Sequence, residues 1–453
     1  MRRRAKDVVR MSEREPRAAK CERCGGSTLV AVIAIAAAVL LIGVAIFVLG
    51  HSEGDIVENS VDDSRAFYIA EGGLERMRGW LGDFHSDDPD GDPLGKKFEN
   101  QLLGGGTYTV EITEDVSGGS WLGAYKVVST GVIDGVVRQV QAVMIAETFA
   151  RYQVFVENAG WVWFRTGDRF EGPVHVNHDL QIDGDPWFGG PVTAGGGLTL
   201  KTGSNPVFEM GYELGVENIP LPDDSYATDR VKPAAESGGL PLPVLVGQDA
   251  KYHIDLGHFG PGLMGYKSYG KVGGVYTWSD WVQVDLATLN GAIWSPEPIR
   301  LEGTLDGQLT IGVEGNVEVW GDILYDGVAP GSTPPPDCDD VLGLIADGDV
   351  IIAYTPPNWN DCMFYGVAMA LEKSVEAQEY QHYAPRGVFE MYGGLIADYS
   401  IHMAQYDNDG NLLSGYARDY NWDSRMIAMP PPFFPLTGRY FIYSWEEVVP
   451  PEV

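Results

Sequence analysis

Two short stretches of this chain gather side-chain oxygens at the alternate spacing that hard cations favour. Asp87, Asp88, Asp90 and Asp92 surround Gly91, and Asp407, Asn408, Asp409 and Asn411 surround Gly410. Calcium is the cation such a set would take, with Asp88, Asp90, Asp92, Asp407 and Asp409 as candidate ligands. Neither stretch ends in the bidentate Glu of a full EF-hand loop, and Asp or Asn beside Gly also makes ordinary turns. A third candidate is His175-Val176-Asn177-His178-Asp179. On a strand, residues three apart point to opposite faces, so the two imidazoles converge only if the chain turns between them. Cys338 and Cys362 are the two thiols beyond the N-terminal region, and a bridge would close a 25-residue loop. Outside the cytoplasm such a pair is expected to oxidise, stabilising the fold by about 2–4 kcal/mol. Cys21 and Cys24 have CxxC spacing but lack the second pair that a zinc site needs.

Charge narrows the chemistry further. The 453 residues hold 64 Asp and Glu against 31 Lys and Arg, a formal charge of −33. A phosphate backbone would be repelled, so no nucleic-acid partner is expected. A cleft that cleaves acidic polysaccharides normally gathers Arg and Lys, which this composition makes hard to build. No nucleophile elbow, HExxH or phosphate loop occurs, so neither catalysis nor an organic cofactor is expected. A glycan-active enzyme would need carboxylates meeting in a cleft. Aromatic residues cluster at Trp161, Trp163 and Phe164, at Trp278 and Trp281, at Tyr380 and Tyr383, and at Tyr440, Phe441, Tyr443 and Trp445. Exposed, they would suit a surface glycan or a protein ligand; otherwise they cap the end of a stacked β-structure.

The elements that position these residues begin with an apolar helix. Leu29 to Leu49 contains 21 residues without a charge, reaching about 31 Å as a helix, the thickness of a bilayer's hydrocarbon core. Residues 1–26 carry nine basic and four acidic side chains, leaving 22 basic against 60 acidic in the remainder. This asymmetry keeps the N-terminus in the cytoplasm and exports the bulk, giving a single-pass protein of the cytoplasmic membrane. A cleaved secretory signal is the competitor, but its apolar core is shorter and FVLGHSEGD offers no small-x-small site. Beyond Gly54 the helix continues as an amphipathic one. Ile56, Val57, Val61, Phe67, Tyr68, Ile69, Leu74, Met77 and Leu81 form one stripe, with Glu58, Asp62, Asp63, Arg65, Glu71 and Arg76 facing water.

After these residues the chain resembles a known family. Gly26-Ser27-Thr28-Leu29-Val30 after a basic leader, and Ala66-Phe67-Tyr68-Ile69-Ala70-Glu71-Gly72-Gly73-Leu74-Glu75, are similar to the N-terminal region of PilX-type minor pilins and related type IV pilus assembly proteins. The resemblance covers residues 25–82. It implies cleavage between Gly26 and Ser27 by a prepilin peptidase, loss of Cys21 and Cys24 with the leader, and partnership with other pilins and the assembly machinery. Typical major pilins have Glu at the fifth position after the cleavage site, where this chain has Ala31, which suits a minor or tip-located component.

Past the turn-rich loop GDFHSDDPDGDPLGKK, alternating runs at Thr107–Ile112, Ala124–Ser129 and Val136–Met144 read as an antiparallel meander with one face buried. Ser129-Thr130-Gly131, leading into a strand with Arg138, resembles the equivalent sheet of PilX-like proteins. Beyond Ala150 the chain reads as all-β. Gly and Pro total 86 residues and punctuate short apolar runs. Loosely recurring sets at EGPVHVNHDLQIDG, LEGTLDGQLTIGVEGNVEV, VLGLIADGDVIIAY and RGVFEMYGGLIADY suggest strands that stack, as in a parallel β-helix, with an irregular sandwich as the alternative. Gly172–Asn177 with Phe188-Gly189-Gly190, Ile219-Pro220-Leu221-Pro222, Gly303–Ile311 and Tyr420–Arg425 with Pro430–Pro435 resemble an uncharacterised domain found downstream of PilX-type N-termini.

The expected protein is therefore α+β: a cytoplasmic leader (1–26), a transmembrane and amphipathic spine helix (27–82), a small antiparallel sheet (83–150) and an acidic, solenoid-like β-domain (151–453). Its expected role is that of a pilus-type structural component exposing an adhesive or spacer module at the cell surface. A permanently anchored envelope protein that never enters a filament is the alternative.

Overall fold

A computed structural model describes residues 27–87, 91–116, 122–158, 163–382, 384–407 and 411–449, with the side chains of 27–28, 49–59 and 86–87 excepted. The chain is mostly β behind one long helix. Helix α1, Ser27–Asp87, runs for 61 residues without interruption, about 90 Å at the helical rise. Its first third, Leu29–Val48, is long and apolar enough to cross a membrane, and none of it is buried.

The far end of α1 behaves differently because its sequence does. Ala66, Ile69, Ala70, Leu74, Met77 and Leu81 are buried at three- and four-residue steps, the spacing of one helical face. They pack on Val110, Ile112, Val127, Val140 and Met144. Those residues come from β2 (Gly106–Asp115), β3 (Ala124–Ile133) and β4 (Val136–Thr148), whose burial alternates with period two and which form an antiparallel meander with the exposed edge strand β1 (Lys97–Leu103). The stripe differs from expectation at three places. Val61 and Tyr68 are exposed, and Asp62, expected in water, is buried beside Arg65. The apolar side chains of the helix are buried on the sheet from Ala66 onward, while Val61 lies before that contact and Tyr68 on the opposite side of the axis.

Glycines set how closely the two layers approach. A Cβ on Gly131 of β3 would run into the Ala66 carbonyl and the Ala70 amide, helix backbone that cannot move aside. One on Gly73 would strike Ser129, and one on Gly72 would strike Leu103. Close packing of helix on strand thus accounts for the Ala-Glu-Gly-Gly-Leu-Glu segment.

The sheet has a fifth strand that the sequence reading placed elsewhere. The C-terminal strand, Leu436–Val448, pairs antiparallel with β4. The first unit is therefore discontinuous, and the expected boundary, which left everything after Ala150 in the β-region, is corrected. Tyr440 and Trp445, expected at the end of a stacked structure, belong to this sheet. Tyr440 is buried beside Tyr125 and His85, and Trp445 meets Phe67 edge-on at 5.8 Å.

Between these strands lies a region of short parallel ladders. Val154–Val156, Val174–Val176, Val192–Ala194 and Tyr212–Leu214 pair in succession. Trp163–Arg165, Leu180–Asp183 and Leu198–Leu200 do the same. A second series runs through Leu240–Pro241, Ala292–Ser295, Gln308–Val313, Val341–Ala346, Cys362–Ala370 and Pro385–Ala397. Its last member pairs with Val154–Val156, Leu395 opposite Val154. The order in space is thus a cyclic shift of the order in sequence. The chain enters in the middle, runs to one edge near Leu214, and resumes at the opposite edge near Leu240. Residues 215–239 make that crossing, and Ile219, Leu221, Val231 and Ala235 are buried against Trp294, Ile345, Met369 and Ile396. Identical register lets like residues stack, as Phe170, Phe188 and Phe208 do with centroids 5.4 and 5.0 Å apart.

Candidate functional site

The residues read as chemically competent do not converge. Asp88, Asp90 and Asp409, together with Gly26, Cys21, Cys24, Asn408, Gly410, Trp161 and Tyr383, lie outside the described residues. Asp92 accepts from the Leu94 amide at 2.9 Å. Asp407 accepts from the Asn411 amide at 2.8 Å and from its side-chain amide at 2.9 Å. The first is the bond of an Asx turn, and the other two tie together the ends of the 407–411 loop. Among the described residues no three His, Cys, Asp or Glu side chains group to hold a metal.

His175 and His178 point apart. His175 is buried, bonded through its two ring nitrogens to Thr193 Oγ1 at 2.7 Å and Asn177 Oδ1 at 2.8 Å, and stacked on Phe155. Burial pushes its pKa down. Asn177 in turn exchanges two hydrogen bonds with the Ile219 backbone, so the His-Val-Asn-His segment clamps the crossing chain to the ladder. His178 is exposed.

Cys338 and Cys362, expected as a disulfide, are both free thiols. Cys362 sits on a ladder strand with its side chain fully buried, and burial raises its pKa strongly. Cys338 is half-buried, its sulfur 3.6 Å from Asp340 Oδ2. The loop length permitted a bridge, but Cys362 is buried in the core as a free thiol.

Two surfaces formed by described residues could engage something else. The first is the bare, apolar third of α1, held to the molecule by its packed end. Arg138 of β4 strengthens that hold, donating from Nε to Asp63 Oδ1 at 2.6 Å and from Nη1 to Glu447 Oε1 at 2.7 Å. Helix, β4 and C-terminal strand are thereby joined through one guanidinium. The Arg138 hydrogen bond holds the Asp63 carboxyl below its usual pKa.

The second surface is a cavity of about 460 Å³ lined by Trp163, Arg165, Tyr380, His402, Tyr406 and Arg418, with Ile401, Met403 and Leu413 among their neighbours. Tyr380 stacks on His402 at 5.4 Å. The Tyr406 ring lies near two guanidinium groups, 5.9 Å from Arg165 and 5.5 Å from Arg418. Arg418 is anchored to buried Asp168 at 2.6 Å. Sequence reasoning missed this constellation, because its members come from stretches up to 255 positions apart, Trp163 to Arg418. Trp163 and Tyr380 were visible only as aromatic clusters.

Residues 107–197 match a family model described as a domain of unknown function, DUF4900. No curated protein matches the chain. Among solved structures, the chain is similar to the competence-associated pilin ComZ from Thermus thermophilus, with 14% identity over 85% of this chain and 98% of that one, and a TM-score of 0.34. A superposition that loose says nothing about function.

Proposed function

We propose that this chain is a pilin-like, membrane-anchored surface protein, a minor component of a type IV pilus or related filament. One observation carries the reading: a single 61-residue helix leaves Leu29–Val48 bare and apolar while its last turns are buried in a sheet. A bare helix of that character is stable in lipid or against other apolar helices. A pilin spine meets those two environments in turn, first in the membrane and then in the filament.

In this reading the N-terminus stays cytoplasmic, a prepilin peptidase cuts between Gly26 and Ser27, and the partners are other pilins and their assembly machinery. The resemblance of residues 25–82 to PilX-type minor pilins supports it. The parallel ladders are the rungs of a parallel β-helix that serves as an adhesive or spacer module, without catalysis or a resident cofactor. A module this large would collide with its neighbours along a packed shaft, so the filament tip is its place.

The test is the mature N-terminus, by mass spectrometry of protein from native membranes and from sheared filaments. A chain starting at Ser27 in the filament fraction supports the reading. A chain starting at Met1 and confined to membranes replaces it with a permanently anchored envelope protein.

A further inference from the structure

The cavity bounded by Trp163, Tyr380 and Tyr406 has a lining that the composition of the chain makes improbable. Acidic residues outnumber basic ones 64 to 31, yet among the described residues no carboxylate lines this cavity, while Arg165, Arg418 and His402 do. Burial and the nearby Arg418 lower the His402 pKa, leaving the two guanidinium groups as its cations.

Arg165 retains donor capacity and Arg418 adds its charge. Arg418 is held through Nη2 by Asp168, and its Nε is buried without a hydrogen-bond partner. Arg165 Nη2 is 3.8 Å from Asp183, too far for a hydrogen bond. A guanidinium with free donors matches a planar carboxylate. Trp163, Tyr380 and Tyr406 bring ring surface to the cavity, although Lys201 lies over Trp163 and His402 stacks on Tyr380, and about 460 Å³ falls within the range of small-ligand pockets.

We propose that this cavity binds one acidic sugar residue of uronate type, its carboxylate on Arg165 and Arg418 and its ring against Trp163, Tyr380 or Tyr406. The ligand is a single acidic unit on an otherwise neutral glycan. A polyanion would have to lie along a surface whose net charge repels it. This deepens the adhesive role proposed above, but the binding itself depends neither on leader cleavage nor on filament entry.

The test is calorimetric titration of the full chain in neutral detergent with methyl glucuronide and methyl galacturonide. Methyl glucoside, methyl galactoside, polygalacturonate and acetate serve as comparisons. The expected result is saturable binding of at least one uronide, at least about tenfold tighter than its neutral counterpart, with acetate and the polymer weaker. Arg165→Gln and Trp163→Ala should each weaken that binding by about tenfold or more, the size of one charged hydrogen bond, with unchanged melting temperature. Equal binding of neutral sugars, acetate binding as well as the uronides, preference for the polymer, an unaffected Arg165→Gln variant, or no binding would each overturn the proposal. A negative titration beside a filament fraction starting at Ser27 would sink the pocket and leave the pilin reading standing.

Discussion

Arg138 and Asp63 lie 75 positions apart, yet their side chains meet in a two-point pair, one bond 2.6 Å long. The pair fastens the helix to the strand it crosses. Asp63 is solvent-exposed, so the pair's effect is read best through pH. Arg138 lowers the Asp63 pKa in the folded state. The stabilisation is therefore present above the ordinary carboxylate range near pH 4 and is lost as pH falls through the lowered value. Acidification from pH 6 to pH 3 should lower the melting temperature of the native chain more than that of Asp63→Asn, measured by circular dichroism. Equal losses would mean the pair does not act in solution.

Glycines in the helix–sheet unit should respond in opposite directions. Gly131→Val places atoms against the backbone of Ala66 and Ala70 and should destabilise by about 1–3 kcal/mol, the usual cost of overpacking. Gly79 is exposed within α1, and a Cβ added there would meet nothing within 4 Å. Gly79→Ala should stabilise by about 1 kcal/mol through helix propensity. Urea denaturation of the two variants reads both signs.

Asp347 should make the β-region less stable as the solution turns neutral. Burial, with Glu314, Asp224 and Glu372 adding repulsion, raises its pKa to about 7. The folded state then keeps a proton that the unfolded chain releases near pH 4, so this contribution falls between about pH 4 and pH 7. Asp347→Asn cannot ionise, and its advantage over the native chain should grow across that window and level off above it. A constant difference at pH 4.5, 6 and 8 would show that Asp347 ionises normally.

The thiols give a direct test of the topology. With Cys362 buried and Cys338 half-exposed, a maleimide should label Cys338 in the folded protein and reach Cys362 only after denaturation without reductant. Peptide mapping that instead finds Cys338 joined to Cys362 would contradict the burial of Cys362.

Much of this architecture was legible because it is written locally. Leu29–Val48 is apolar without a charge, so a helix long and apolar enough to cross a membrane follows from composition alone. Ile69, Leu74, Met77 and Leu81 repeat at helical spacing, and Val110 and Ile112 alternate, so the faces that meet could be named. Glycine-punctuated runs such as Val174–Val176 identified short stacked strands, though not which strand pairs with which.

Tertiary structure alone decided the rest, because these features join residues with no local relation. Nothing near Leu436 marks it as a partner of β4, and nothing near Leu395 marks Val154 as its neighbour. Both follow from the chain entering and leaving the β-region beside the same sheet. Cys362 is buried on its ladder strand as a free thiol, where loop length had allowed a bridge. The cavity around Tyr406 arises where separate ladder strands and the hairpin at Ala404–Tyr406 come together. That its described lining holds no carboxylate is a property of that assembled surface, which the acidic sequence by itself argued against.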